Sequence, residues 1–254
     1  MSIDRRELKR QIKKRAQLLN SAVSRSETLF DRAFDDVVTM INQLPDGWES
    51  YYLPAIQQQV LQRMRELSLS VIDLSNELIP AAIEQGQSFV VAPLLIGGLI
   101  SARITADKER ALIESRAATI SRTLSSQIID AITNNAMGFT TAGQAIESIR
   151  QNIDSGGKVR SAGILQHELK KIHARQVQKS MLDNADRFDK MWLHAGSPTE
   201  PRESHLDADG QAVPVDQAFD IGGAEMMHPL DANAPIEEVI HCGCVAVLVL
   251  KNKT

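Results

Sequence analysis

The sequence predicts an α+β protein, mainly α, in which long helical hairpins or a bundle precede a small, mostly β C-terminal module. Aromatic residues make up only 4% of the 254 residues, against 43% hydrophobic overall, a composition suited to aliphatic helix packing. No glycine or proline interrupts the chain between Leu99 and Met137, whereas five of the nine prolines fall after Lys190. The expected organisation is an elongated helical region over 1–137, connecting helices over 138–188 and a Cys/His-containing α+β module over 189–254.

The helices follow from apolar spacing. Ser2 can cap a first helix in which Leu8, Ile12, Leu19, Val23, Phe30, Phe34, Val37 and Ile41 fall at helical intervals, and Pro45-Asp46-Gly47 ends it. A second starts near Pro54, a good first-turn residue, and aligns Val60, Met64, Leu67, Val71 and Leu74 before Pro80 breaks or kinks it. Ile104, Ala111, Ile113, Ile120, Leu124, Ile128 and Ile132 define a third, which Gly138 terminates. Thr141 and Gln144 form a capping box for a short helix, AGQAIESIRQNI. After the flexible DSGGK, a polar helix covers about 159 to 187, with His167 and His173 expected as solvated residues.

Beyond Asp189 the helical period gives way to β-like runs at MWLH, QAVPV and VAVLVLK. The run FVVAPLLIGGLI, 89 to 100, is shorter than the roughly 18 residues of a membrane-spanning helix and contains Pro93 and Gly97-Gly98, so it is expected as buried core or a helix contact. The net charge of −4 provides no global basic field for nucleic acid. Charge is nevertheless concentrated at the start, where Arg5, Arg6, Lys9, Arg10, Lys13, Lys14 and Arg15 form a basic helix surface suited to phosphates or an acidic partner. Two closely spaced cysteines do not make an extracellular disulfide framework, and a reducing cytosol is the natural compartment.

SHLDADGQAVPVD, 204 to 216, has the look of a calcium loop, but His205 and Asp216 occupy positions where such loops need hard oxygen donors and a bidentate glutamate, and Pro214 disfavours the following helix. A hairpin turning at Asp209-Gly210 is expected instead, with His205 on one strand and Val213 and Val215 on the next. In IHCGC, Cys242 and Cys244 point to one face of a strand. With His205, His241 or His228 they could complete a tetrahedral structural zinc site; two packed, reduced thiols are the plainer alternative. The chain contains no nucleophile elbow, phosphate loop, dinucleotide-binding glycine motif or HExxH.

The order MW, RESH, LDADGQAVPVDQAF, an IGG turn, HPLDANAP and EEVIHCGC resembles the C-terminal module of phage minor head, or head-morphogenesis, proteins of the Mu F type. Arg202, His205, Gly210, Phe219, Glu238, Val239, Ile240, Cys242 and Cys244 occupy matching places. His241 and Gly243 stand where that family usually has Asn and Arg. The resemblance covers about 140 to 250. It implies a non-enzymatic virion protein at the portal vertex or capsid interior, present in the host cytoplasm during assembly, that is oligomeric in the virion and assists head assembly and DNA packaging or ejection. The implied partners are the portal protein, a major capsid or scaffold protein and viral DNA. Two other functions are compatible with the residues alone: a metal-dependent hydrolase or nuclease using His205, Asp207, Asp209, His228 and the thiols, and a membrane-active ejection protein using the 89–100 run and the basic amphipathic start.

Overall fold

The computed structural model describes residues 4–45, 52–94, 99, 102–137, 142–154, 157–195 and 201–251. The expected cap at Ser2 and the stops or turns at Asp46-Gly47, Gly97-Gly98, Gly138, Thr141 and Ser155-Gly156 lie outside these residues. Five long helices come first: α1 (Arg5–Asn42), α2 (Leu53–Val91), α3 (Ala106–Met137), α4 (Ala142–Asp154) and α5 (Gly157–Leu182). They are followed by β1 (Phe188–Leu193), α6 (Glu203–Asp207), β2 (Ala212–Pro214), β3 (Phe219–Ile221), β4 (Ala224–Met226), α7 (Ile236–Val239) and β5 (Val245–Leu250). The α+β class, mainly helical with a small terminal antiparallel sheet, is as the sequence predicts.

Asp4 caps α1: its carboxylate accepts the N–H groups of Arg6 (2.9 Å) and Glu7 (3.2 Å), two of the donors that a helix start leaves without an internal partner. The break or kink expected at Pro80 is not a break, because α2 continues to Val91. Pro80 is exposed, while Leu78, Ile79, Ala82 and Ile83 around it are buried. Packing on both sides thus offsets the loss of one helical hydrogen bond.

The chain forms two compact units, each assembled from separated stretches of sequence. The first comprises Met1–Leu19, Leu78–Ala106 and His167–Thr254; the second comprises Asn20–Glu77 and Asp107–Gln166. Apolar periodicity marks which face of a helix is buried but not which partner buries it, so a helix can serve one core at one end and another core at the other.

The second unit has an aliphatic core that includes Val37, Ile41, Val60, Met64, Ile128, Ile132 and Ile149, with Phe30 the one buried aromatic among its described residues. The first unit has a mixed core that includes Phe89, Val177, Met181, Phe188, Trp192, Phe219, Ile221 and Val247. Gly86 lets α2 approach α5 closely there: a Cβ at this position would lie 2.9 Å from the Gln176 Cβ and 3.0 Å from the His173 carbonyl oxygen.

In the first unit, three strands form an antiparallel sheet in the order β2-β1-β5. β1 pairs with β5 from Phe188↔Leu250 to Leu193↔Val245, and β2 pairs on its other edge through Met191↔Ala212. These strands coincide with the β-like runs of the sequence. β3 and β4 form a separate hairpin closed by Gly222 and Gly223, whose φ angles of 60° and 88° are those that a two-residue hairpin turn demands. The apolar run contributes Phe89, Val90 and Leu94 to the core of this unit. No helix among the described residues is long and apolar enough to cross a membrane.

Candidate functional site

His205, Cys242 and Cys244 converge in the first unit, all three buried, with their potential ligand atoms within 4.8 Å of one another. His205 arrives on α6, not on the strand expected for it: it lies in the five-residue helix Glu203–Asp207. The thiols sit in the turn just before β5 rather than within a strand. The expected Asp209-Gly210 hairpin is replaced by a bulge opposite Trp192. The Gly210 N–H donates to the Trp192 carbonyl (2.9 Å), and the Gln211 carbonyl accepts the Trp192 N–H (2.9 Å). Only Gly210 of that pair adopts the left-handed region, with φ 84°, as a bulge led by glycine requires.

The imidazole is held from behind. His205 Nε2 lies 2.8 Å from the Glu238 carboxylate, which also accepts the Ser204 hydroxyl at 3.1 Å. With Nε2–H donating to Glu238, the Nδ1 lone pair points to the sulfurs, 3.7 Å from Cys242 Sγ and 3.4 Å from Cys244 Sγ. Arg202 donates to the Ile240 carbonyl and so ties α6 to the turn that carries the cysteines.

The pair of thiols is electrostatically asymmetric. Cys242 is brought down to about 5, first by the hydrogen bond from Cys244 and then by that with His205. Cys244 is pushed up by the same hydrogen bond, by burial and by the Cys242 charge. His205 is raised, chiefly through its hydrogen bond with Cys242, with Glu238 adding to the effect. The environment thus favours the thiolate at one sulfur and disfavours it at the other.

Two groups that the sequence did not single out for this site adjoin it. Arg15, one of the seven N-terminal charges, is buried with its Nη1 3.4 Å from the Gly243 carbonyl oxygen, and its charge interacts with both sulfurs. His194, at the end of β1, has its Nδ1 3.6 Å from Cys244 Sγ. The cause is register: Leu193 pairs with Val245, so His194 and Cys244 are the next residues outward. The signal was available in two apolar runs, one ending in His and the other preceded by Cys, once their antiparallel pairing was considered.

His241 does not join the cluster. It is exposed, with φ 56° at the turn, a conformation that directs the two flanking positions differently. His228 instead turns Nδ1 to the Pro229 carbonyl oxygen (2.9 Å) and lines a cavity with Arg15, His173 and Cys244 that has room for about one water-sized guest. His173 is buried rather than solvated, and burial pushes its pKa well below the usual range. The Asp209 carboxylate accepts the His194 backbone N–H at 2.8 Å, which is a structural use of that side chain. Arg5, Arg6, Lys9, Arg10, Lys13 and Lys14 are all exposed along α1, and Arg10 pairs with Glu7 at 2.8 Å.

A buried thiolate-imidazole cluster can bind a soft cation or act as a nucleophile. All three groups are buried and the neighbouring cavity has room for about one water; two thiols and an imidazole within reach of one another have the composition of a zinc-type donor set. Among curated proteins, "Uncharacterized protein YqbB" of Bacillus subtilis (strain 168) is 25% identical over 130 residues, which is 50% of this chain and 43% of that protein. The chain thus spans less than half the length of that relative. No family model and no solved structure matches the chain.

Proposed function

We propose that this chain is a structural, non-enzymatic protein of the phage minor head type, acting at the portal vertex or inner capsid in head assembly and in DNA packaging or ejection. One observation carries the reading. The residues through which the sequence resembles that family serve a single internally bonded architecture, buried at His205, Cys242, Cys244 and Phe219 and exposed at Gly210 and Ile240: Arg202 ties α6 to Ile240, His205 bonds Glu238, Cys242 and Cys244 face His205, Phe219 packs against Trp192 at 5.3 Å, and Gly210 makes the bulge. A motif spent on internal cohesion suits a docking module better than a reaction centre. The six exposed cations of α1 supply a surface for an acidic portal or capsid face, or for DNA phosphates.

The test is co-expression with the portal and major capsid proteins of its own genome, followed by isolation of procapsids and mass spectrometry of their components. Retention of this chain on purified particles, reduced when Lys9, Lys13 and Lys14 are changed together to Glu, is the expected result. A chain absent from particles and without affinity for the isolated portal overturns the reading. Nuclease activity that depends on His205 would favour a hydrolase in its place.

A further inference from the structure

The Cys/His cluster offers three donors to an ion, and the register of the sheet supplies a fourth. Zinc lies about 2.3 Å from thiolate sulfur and about 2.0 to 2.1 Å from imidazole nitrogen, so a tetrahedral ion separates neighbouring S and N donors by roughly 3.6 Å. The observed separations are 3.7 Å for Cys242 and His205, 3.4 Å for Cys244 and His205, and 3.6 Å for Cys244 and His194. Each is close to the edge of such a tetrahedron.

We propose that Cys242, Cys244, His205 and His194 bind one zinc ion in a closed structural site, with Glu238 as the outer carboxylate that orients His205. Two thiolates and two imidazoles are a donor set selective for zinc over hard cations. The Glu238 contact fixes the tautomer that leaves Nδ1 free for metal, the arrangement typical of metal-bound histidine. Arg15 lies against the Gly243 carbonyl between the two cysteines, and the Trp192 indole N–H is buried without an acceptor of its own.

His173 and His228 share a cavity with Cys244, but among the module's other three histidines only His194 has a ring nitrogen in hydrogen-bond range of a thiol. His241 is exposed, and His228 is engaged with Pro229. His194 is half-buried on a main chain fixed by Asp209 and stands outside the group of three donors that lie within 4.8 Å of one another, so its ring has to turn toward Cys242 and His205 to complete the coordination. With four protein donors no position is left for a reacting water. This centre stands whichever assembly the chain serves.

The full chain, purified from zinc-supplemented cells, is assayed for metal content and then exchanged with cobalt(II). One zinc per chain is expected, and the cobalt form should show thiolate charge transfer with the intense d–d bands of four-coordinate geometry. Glu238→Gln should weaken zinc binding by about 10- to 100-fold, and His194→Ala by more than that, with weakened or shifted d–d bands. His241→Ala should leave both unchanged. His194→Cys, which restores a fourth donor, should keep the ion and strengthen the thiolate charge transfer, separating loss of a ligand from loss of the fold. Three results overturn the proposal: no bound zinc with both thiols free to react, His194→Ala matching wild type in affinity and cobalt spectrum, or the loss following His241 instead.

Discussion

The two units solve the same packing problem with different materials. Among the described residues, the interior of the second is almost wholly aliphatic, and its buried polar groups are Ser26, Ser75, Glu109 and Ser125. The serines among them are accommodated by their own helices: Ser75 and Ser125 each donate to the carbonyl four residues earlier. The first unit buries Gln11, Arg15, Glu168, His173, Gln176, Gln178, Ser180, Asn184, Lys190, His205 and Asp231. Its polar groups reach across the chain: Gln176 accepts the Ile104 N–H and donates to the Ala102 carbonyl, Gln178 donates to the Val215 carbonyl, and Lys190 donates to the Met227 carbonyl. An aliphatic core tolerates exchange of similar volumes, whereas a core threaded by directed hydrogen bonds specifies one arrangement. The candidate site lies in the second kind of core, where precise placement of side chains is already enforced.

The sharpest way to break this contrast is Trp192→Ala. Trp192 is fully buried and lies edge-on to both His205 (5.6 Å) and Phe219 (5.3 Å), so denaturant titration should give a loss of about 3 to 5 kcal/mol, accompanied by disruption of the thiol cluster. Ile128→Ala in the aliphatic core should cost about 2 to 4 kcal/mol and lower hydrogen-exchange protection around α3. Cys242 and Cys244 should keep their wild-type reactivity toward a thiol reagent. Loss of the thiol environment in that variant would show that the two cores are not independent in the sense drawn here.

Smaller effects test the polar threading. Gly86→Ala should destabilise by about 1 to 3 kcal/mol despite the better helix propensity of alanine, because the added methyl meets the Gln176 side chain and the backbone of His173. His173 supplies a pH signature. Burial holds its pKa well below 6.5, so the unfolded chain binds the extra proton first. Stability is therefore full above about pH 6.5 and falls as pH drops below it, by up to about 1.4 kcal/mol per pH unit from this group. His173→Phe should remove that part of the slope in denaturation curves taken between pH 7 and pH 5. At the small end, Lys9→Ala and Lys13→Ala should change stability by no more than about 0.5 kcal/mol, since both side chains are exposed.

Legibility in the sequence follows the same division. The long helices of both units were readable because burial every three to four residues is a local signal, and Val60, Met64, Leu67, Val71 and Leu74 are all buried as that spacing requires. The strands β1, β2 and β5 were readable as apolar runs. β3 and β4 were not, since three-residue strands leave little pattern, although the IGG turn between them was visible. A five-residue helix has too few turns to show a period, so the sequence alone points to a strand at His205. At the site, the thiols and His205 were identified from residue chemistry, whereas His194 depends on a pairing between segments about fifty residues apart. Arg15 was read with its exposed neighbours. Nothing local distinguishes a basic residue that faces a core from six that face solvent, except that it falls at helical spacing from Leu8 and Leu19.

The contact of Arg15 with the Gly243 carbonyl joins residues 228 positions apart. During synthesis at roughly 5 to 20 residues per second, the start of α1 would therefore wait about 10 to 50 seconds before its buried partner emerged. Through that interval Leu8 lacks the C-terminal part of the core it enters, while the start of α1 can already meet the end of α2, where the Asp4 N–H donates to the Pro93 carbonyl and the Gln85 side chain to the Gln11 carbonyl. The first unit thus closes late by topology, its N-terminal helix exchanging a partial partner, the end of α2, for a complete core only once the last strand has been made.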